Sequence, residues 1–520
     1  MSCRRSVSFL VLALAGCRAP EPAPVPTAEA ALELTILYTA DEHGWIAAKD
    51  DRYAHIGGAS QLIALLQARE GHCAGTFDAD GQVIRPHPEN CAAPRTVLLS
   101  GGDNYSGPSI STFFRGRTMA QVMRLAGYQA SAFGNHELDF GKETLVENRA
   151  SAGIRYLSAN LVTTEGKPSD LAAPWVILER NGVHLGVVGV STESTIASAS
   201  PHRFAGLRFD PIESTLARVV PELWREPVDA VVLLAHECHD IIMPIVRRHP
   251  EWKLSFVGTG HCHRSAALRL GDAVLIAPDW ALSHYGRVRL AIHRDRPAMQ
   301  RAEVVDYGLI DVSTPLAGPP ASADAAFDRE VAGWQNDIDR QLGEVIGFSS
   351  GLAASSDEMG RWITGSWLAA FPDAAVALTT KGGIRQDLPA GPITLATVQS
   401  ILPFDNDLVI VEIPARELPA LLAQSKAIAS GLACDKNRCT KQDGSAIDTP
   451  TVRLVTTDYL YYGGDGFRLE RFDANARFTG VDWKKPVIDW TRAAHSTAEA
   501  PIERQLTVDA GSRTRASGSR

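Results

Sequence analysis

The sequence predicts an α/β protein built in two globular parts. Short β-branched runs alternate with amphipathic stretches from Leu32 onward, the pattern of strands feeding helices. The 520 residues exceed what one ordinary core encloses. A Pro/Ala/Ser-rich break, "DVSTPLAGPPASADA" at 311–325, divides the chain. An apolar fraction of 45% and a charged fraction of 21% describe a globular chain, neither disordered nor fibrous. The net charge of −9, with no basic stripe, argues against a nucleic-acid polymer as partner.

The elements follow in order. Residues 1–17, "MSCRRSVSFLVLALAGC", join a basic start (Arg4, Arg5) to an apolar run too short to span a membrane, as an export signal does. The ending Leu14-Ala15-Gly16-Cys17 resembles a bacterial lipobox, which implies lipidation at Cys17 and anchoring to the cell envelope, in the periplasm or at the surface. Residues 18–31 read as a Pro/Ala tether. A first domain is expected over 32–315, a hinge and linker helix over 316–346, a second domain over 347–495 and a tail over 496–520. The strongest strands are "LELTILYTA", "RTVLLSG", "GVHLGVVGVS", "VDAVVLLAHE" and "KLSFVGTGH". Helical spacing over 326–346 places Phe327, Val331, Trp334, Ile338 and Leu342 on one face.

Beyond Cys3 and Cys17, six cysteines remain, an even number that allows fifteen pairings and favours disulfides outside the cytoplasm. Local pairing gives Cys73–Cys91 and Cys434–Cys439, leaving Cys238 with Cys262.

Metal-type side chains recur just past strand ends: Asp41 and His43, Asp103, Asn135 and His136, His236, then His261 and His263. Open α/β sheets gather such loops on one rim, where ligands bind. One histidine at a strand end is usually structural, but five consecutive clusters point to a shared site. Carboxylate, imidazole and amide donors without an obligatory thiolate suit Zn, Mn, Co or Fe. Seven donors exceed one tetrahedral ion and suit two divalent ions sharing a carboxylate. Cys262 between two histidines opens the alternative of a zinc knot, against which stands the lack of a second C-x-x-C pattern.

D-x-H at 41–43, GD at 102–103, GNHE at 134–137, His236 and GHxH at 260–263 together resemble the calcineurin-like metallophosphoesterases. "GGAS" at 57–60 and "LSANL" at 157–161 narrow the resemblance to the exported 5′-nucleotidase/UDP-sugar hydrolase group. The resemblance implies a β-sandwich flanked by helices, followed by an α/β substrate-binding domain. It assigns Asp41, His43, Asp103 and His263 to one metal. Asp103 bridges to a second, completed by Asn135, His236 and His261. His136 and Asp139 match the catalytic dyad. Glu137, without a role in that scheme, is expected to hydrogen-bond behind the ligands.

In the second part, "TTKGGIR" (379–385), "LPFDNDL" (402–408) and "YYGGDGF" (461–467) resemble the C-terminal nucleotidase domain. This implies Phe404 and Phe467 around a base, Arg385 on phosphate, Asn406 at the base edge and Asp473 at the ribose. Read alone, the two Phe residues are more simply core plugs. Two departures stand out. Thr380 replaces the usual Asn, and residues 345–358 contain no Lys or Arg, leaving Arg361 or Lys381 as substitutes. The expected activity is nucleotide hydrolysis to nucleoside and phosphate. A 2′,3′-cyclic phosphodiesterase, a thiosulfohydrolase-like enzyme and a non-catalytic surface binding protein remain as alternatives.

Overall fold

The computed structural model of the chain describes residues 31–47, 49–51, 54–56, 58–77, 83–84, 95–314, 322–434, 438–441 and 444–506. Cys17 and Cys91 lie outside the described residues.

Two six-stranded sheets form the first part. One carries, in spatial order, Ala302–Asp311, His284–Ile292, Leu32–Thr39, Thr96–Ser100, Tyr128–Ala132 and Arg155–Leu157. The other carries Trp175–Arg180, Val183–Ser191, Ala230–His236, Leu254–Thr259, Ala273–Pro278 and Ser265–Leu270. Period-two alternation explains why they stack. Leu34, Ile36 and Tyr38 face Val183, Leu185, Val187, Ala230, Val232 and Leu234 in one buried layer. The alternate residues Val188, Val190, Val231, Leu233 and Ala235 turn outward under helices Ile212–Leu223 and His239–Arg248. On the opposite outer face, Leu37 and Leu98 pack with helices Gly58–Glu70, Arg117–Ala126 and Lys142–Ala152. The helix-flanked β-sandwich is therefore present, and all five strands read most strongly from sequence form.

The sheets approach closely at Gly189, where a Cβ would lie 2.4 Å from Leu157 Cβ and 2.5 Å from its carbonyl oxygen. Ala159 N donates to Gly189 O at 2.7 Å, tying the chain just past Arg155–Leu157 to the second sheet. The helix after the break spans Ser322–Leu342 and ends where Gly343 closes on Asp339 O at 3.0 Å. It starts and stops one turn earlier than the expected 326–346, and Phe327 and Ile338 bury themselves in the first part's core.

The second part is a five-stranded sheet ordered Ala427–Ser430, Val376–Thr380, Thr451–Thr457, Asp407–Pro414 and Arg477–Asp482. Helices Asp357–Ala370, Leu395–Ile401 and Lys484–Ala493 cover one face, around Trp362, Trp367 and Trp483. Cys238 pairs with Cys262 and Cys434 with Cys439; Cys73 is also disulfide-bonded. The Cys238–Cys262 bond removes the zinc-knot alternative, because Cys262 then has no thiolate to offer.

Gly189→Ala is expected to destabilise the chain by about 1–3 kcal/mol through overpacking. A melting midpoint equal to the parent's would refute the close sheet contact.

Candidate active site

Every metal-type cluster read from the sequence stands at one end of the sandwich, where strands of both sheets finish. His236 is the last residue of its strand; Asp41, Asp103, Asn135 and His261 follow theirs within three residues. The loops make sharp left-handed turns on non-glycine residues: Asp41 (φ 52°), His43 (44°), Asp103 (59°), His261 (69°) and His263 (48°). Such conformations are costly and persist only where surroundings enforce them. Here backbone bonds do so: Asp41 N donates to Gly102 O, His43 N to Asp103 O and Gly44 N to Asn104 O, all at 2.9 Å.

The donors converge in two groups, Asp41 with His43 and His263, and Asp103 with His236 and His261. His43 Nε2 lies 3.2 Å from His263 Nε2, and His263 Nε2 lies 3.6 Å from Asp41 Oδ1. Asp103 Oδ2 stands between the groups, 3.2 Å from His236 Nε2 and 3.8 Å from His43 Nε2. Asn135 Oδ1 joins the second group, 3.0 Å from His236 Nε2 and 2.9 Å from His261 Nδ1.

These residues fit metal ions. His43 Nδ1 donates to Ser106 O at 2.9 Å and His236 Nδ1 to Gly101 O at 2.8 Å, so both Nε2 lone pairs aim inward. Burial lowers the His236 pKa, but the Asp103 carboxylate outweighs it and brings it to about 10. Burial instead holds His43 well below 6.5 and His261 at about 4, so these two imidazoles keep free lone pairs.

Asp103 is positioned by its neighbours. Oδ1 accepts from His136 N at 2.8 Å, and a Cβ on Gly134 would lie 2.1 Å from that oxygen, so only glycine fits there. Glu137 sits directly behind: Oε1 accepts from Asp103 N at 2.8 Å and from Asn104 Nδ2 at 2.9 Å. The hydrogen-bonding role expected of Glu137 is therefore present. A second buried acid, Glu42, which the sequence did not single out, accepts from Thr39 Oγ1 and Ser100 Oγ. Burial pushes its carboxyl up to about 8.

His136 Nδ1 bonds Asp139 Oδ2 at 2.8 Å. Burial lowers the His136 pKa, yet the Asp139 and Asp103 carboxylates outweigh it and raise it above 6.5. Across the cleft, Phe404 stacks on His136, with centroids 5.2 Å apart and planes 15° from parallel. Arg385 reaches His43 Nε2 at 3.0 Å and lies over the Phe404 ring. Asn406 also lines this cleft of about 310 Å³, which both parts of the chain wall.

Two expected substrate contacts are corrected. Phe467 is 1% exposed and packs with Leu460 and Leu469, because the left-handed residues Asp465 and Gly466 turn it inward. Tyr459 lines the cleft instead, donating to Ala197 O across it at 3.3 Å. Asp473 lies in a separate surface hollow with Glu412 and Arg477, its carboxylate accepting from Glu412 N and Asn475 N. Neither substitute cation serves the cleft: Arg361 pairs with Glu358 at 2.7 Å, and Lys381 is exposed outside the lining. Arg203, Lys426 and Asp465 do line it, though no motif flagged them. Thr380 Oγ1 donates to Asp465 Oδ2 at 2.7 Å, giving the Asn-to-Thr departure a local function.

Glu137→Ala leaves the buried Asp103 amide unpartnered, at about 1–3 kcal/mol, and strips Asn104 Nδ2 of one of its three acceptors. It should lower both the melting midpoint and the metal retained after dialysis, whereas Glu137→Gln keeps the accepting oxygen and most of both. Equal metal retention in Glu137→Ala and the parent would overturn this role.

Residues 345–471 match the family model "5′-nucleotidase, C-terminal domain". A 5′-nucleotidase of Vibrio cholerae is 24% identical, covering 79% of this chain and 78% of its own length. Protein UshA of Escherichia coli is 26% identical, covering 84% and 86% respectively. Among solved structures, a 5′-nucleotidase precursor from Thermus thermophilus superposes with a TM-score of 0.71 at 20% identity, covering 89% of this chain and 97% of that one. Over residues 345–471 the chain thus matches the 5′-nucleotidase C-terminal domain family, and along most of its length it is similar to 5′-nucleotidases in sequence and in fold.

Proposed function

We propose that the protein is an extracytoplasmic, dinuclear-metal phosphohydrolase that converts nucleotides to nucleoside and phosphate. The observation that carries this reading is the placement of His136–Asp139 between the Asp103-centred donors and the Arg385–Phe404 wall. Proton donor, phosphate grip and ring platform thus meet in one cleft. Asp41, His43, Asp103 and His263 would hold one ion; Asp103, Asn135, His236 and His261 the other. Bound there, two divalent ions supply Lewis acidity and lower the pKa of water toward ~7.

The remaining work belongs to the chain. Arg385 offers a planar fork for two phosphate oxygens. Phe404, with Tyr459 on the same cleft, forms an aromatic surface for a base, and Asn406 supplies an amide for its edge. Asp139 fixes the His136 tautomer and favours the imidazolium, leaving Nε2–H to protonate the departing oxygen. Lipidation at Cys17 would hold the enzyme at the envelope, with the domain limits given by 32–315 and 347–495.

The test is a substrate panel of AMP, UDP-glucose and a 2′,3′-cyclic nucleotide with Mn, Co or Zn. The cyclic diester is included because 345–358 brings no guanidinium to the cleft. Turnover of AMP, with kcat reduced about 10²–10⁴-fold in His136→Ala, is expected. No turnover above that variant on any substrate would refute the reading. Preference for the cyclic diester would redirect it. Metal analysis should return about two ions per chain; a metal-free chain would favour a surface binding protein.

Asp139→Asn should lower kcat far more than it raises KM, since it disturbs the proton donor and not the ring platform. A change confined to KM would contradict the dyad.

A further inference from the structure

Three cationic side chains other than histidine line the cleft, and they differ in what they hold. Lys426 is neutralised by Asp465, Nζ to Oδ1 at 2.8 Å. Arg385 faces the donor cluster through His43. Arg203, partly buried, donates no side-chain hydrogen bond and forms no ion pair among the described residues.

Its place is well defined. Arg203 rides on the short turn Pro201–Phe204, pinned by Phe204, which is 2% exposed, and by the His202 ring against Tyr462 at 6.0 Å. A Cβ on Gly141 would lie 3.6 Å from Arg203 Nη1, so the guanidinium hangs beside the residue two places after Asp139. Asp458, neighbour of the cleft-lining Tyr459, forms no ion pair with Arg203. Asp458 Oδ1 is already committed to Asp407 N and Tyr459 N. An unpaired guanidinium therefore lines the cleft beside the loop that carries the His136–Asp139 pair, in the same cleft as Tyr459, where a leaving group protonated by His136 would extend.

We infer that Arg203 forms a second anion subsite that binds a phosphoryl group carried by the leaving group, and so favours nucleoside diphosphates over monophosphates. This rests on the phosphohydrolase reading above. In the step it serves, a water oxygen bonds to the terminal phosphorus and the bridging P–O bond breaks. Its electron pair stays on the leaving oxygen, which takes the His136 Nε2 proton. The proton given up by water returns to His136 through solvent, so diphosphate and water become monophosphate and orthophosphate. Arg203 stabilises the charge that the leaving phosphate gains, whereas the 5′-oxygen of a monophosphate's leaving nucleoside offers it no anion.

The experiment compares kcat/KM for ADP and AMP in the metal-loaded parent, Arg203→Ala and Arg203→Lys. The ADP-to-AMP ratio is expected to fall about 10- to 100-fold in Arg203→Ala, the worth of a charge-assisted pair. Arg203→Lys, which keeps the charge without the fork, should fall between the two. A ratio within about twofold of the parent in Arg203→Ala, or equal losses on both substrates, overturns the subsite. A parent that does not hydrolyse ADP but turns over AMP or another substrate of the panel overturns the subsite alone; a parent that turns over none of them overturns the phosphohydrolase reading beneath it.

Discussion

The structure depends on keeping one buried carboxylate, Asp103, among three imidazoles. Burial alone would push its carboxyl up; His236, His136 and His43 reverse this and hold it well below the usual carboxylate range. An anion in so dry a place is costly unless its partners are fixed. The surrounding architecture fixes them. Strands from both sheets end at the same rim, the ligand loops are tied to one another through backbone amides, and Glu137 grips the Asp103 amide from behind. The left-handed ligand residues are the conformational cost of bringing donor atoms from separate loops within 4.8 Å of one another in each group.

This arrangement separates two tasks that share a cleft. The first part supplies anionic and imidazole donors on rigid strand ends, so their relative positions change little. The second part supplies guanidinium, ring and amide from turns rich in glycine and proline, where side chains can adapt. The Phe404–His136 stack is the seam between them: the ring that would receive a base also covers the imidazole proposed to give the proton. Binding and protection of the dyad are therefore one contact rather than two.

The donor cluster was legible in the sequence because each ligand follows an apolar run that can only be a buried strand. Strand ends on one rim converge whatever the details of sheet order. That order was not legible: Leu32–Thr39 pairs with His284–Ile292, and nothing local signals a partner at the far end of the domain. The second part was harder for a different reason. In "YYGGDGF" the glycines free the backbone, so the motif says that a side chain is aimed but not where, and Phe467 went to the core while Tyr459 took the cleft. Asp473 failed because a surface carboxylate next to free amides satisfies itself locally. Arg203 lies in a stretch without periodicity or motif, and only the fold brings it beside Gly141.

The helix Ser322–Leu342 has a consequence for how tightly the second part is tethered to the first. Because Phe327 and Ile338 are sunk in the first core, the connector is not a free string, and the arm carrying the second part begins at Gly343. The side chains with which the second part walls the cleft are therefore held near the donors by a few residues of backbone beyond a docked helix, so their effective concentration there is set by a short connection rather than by a long linker.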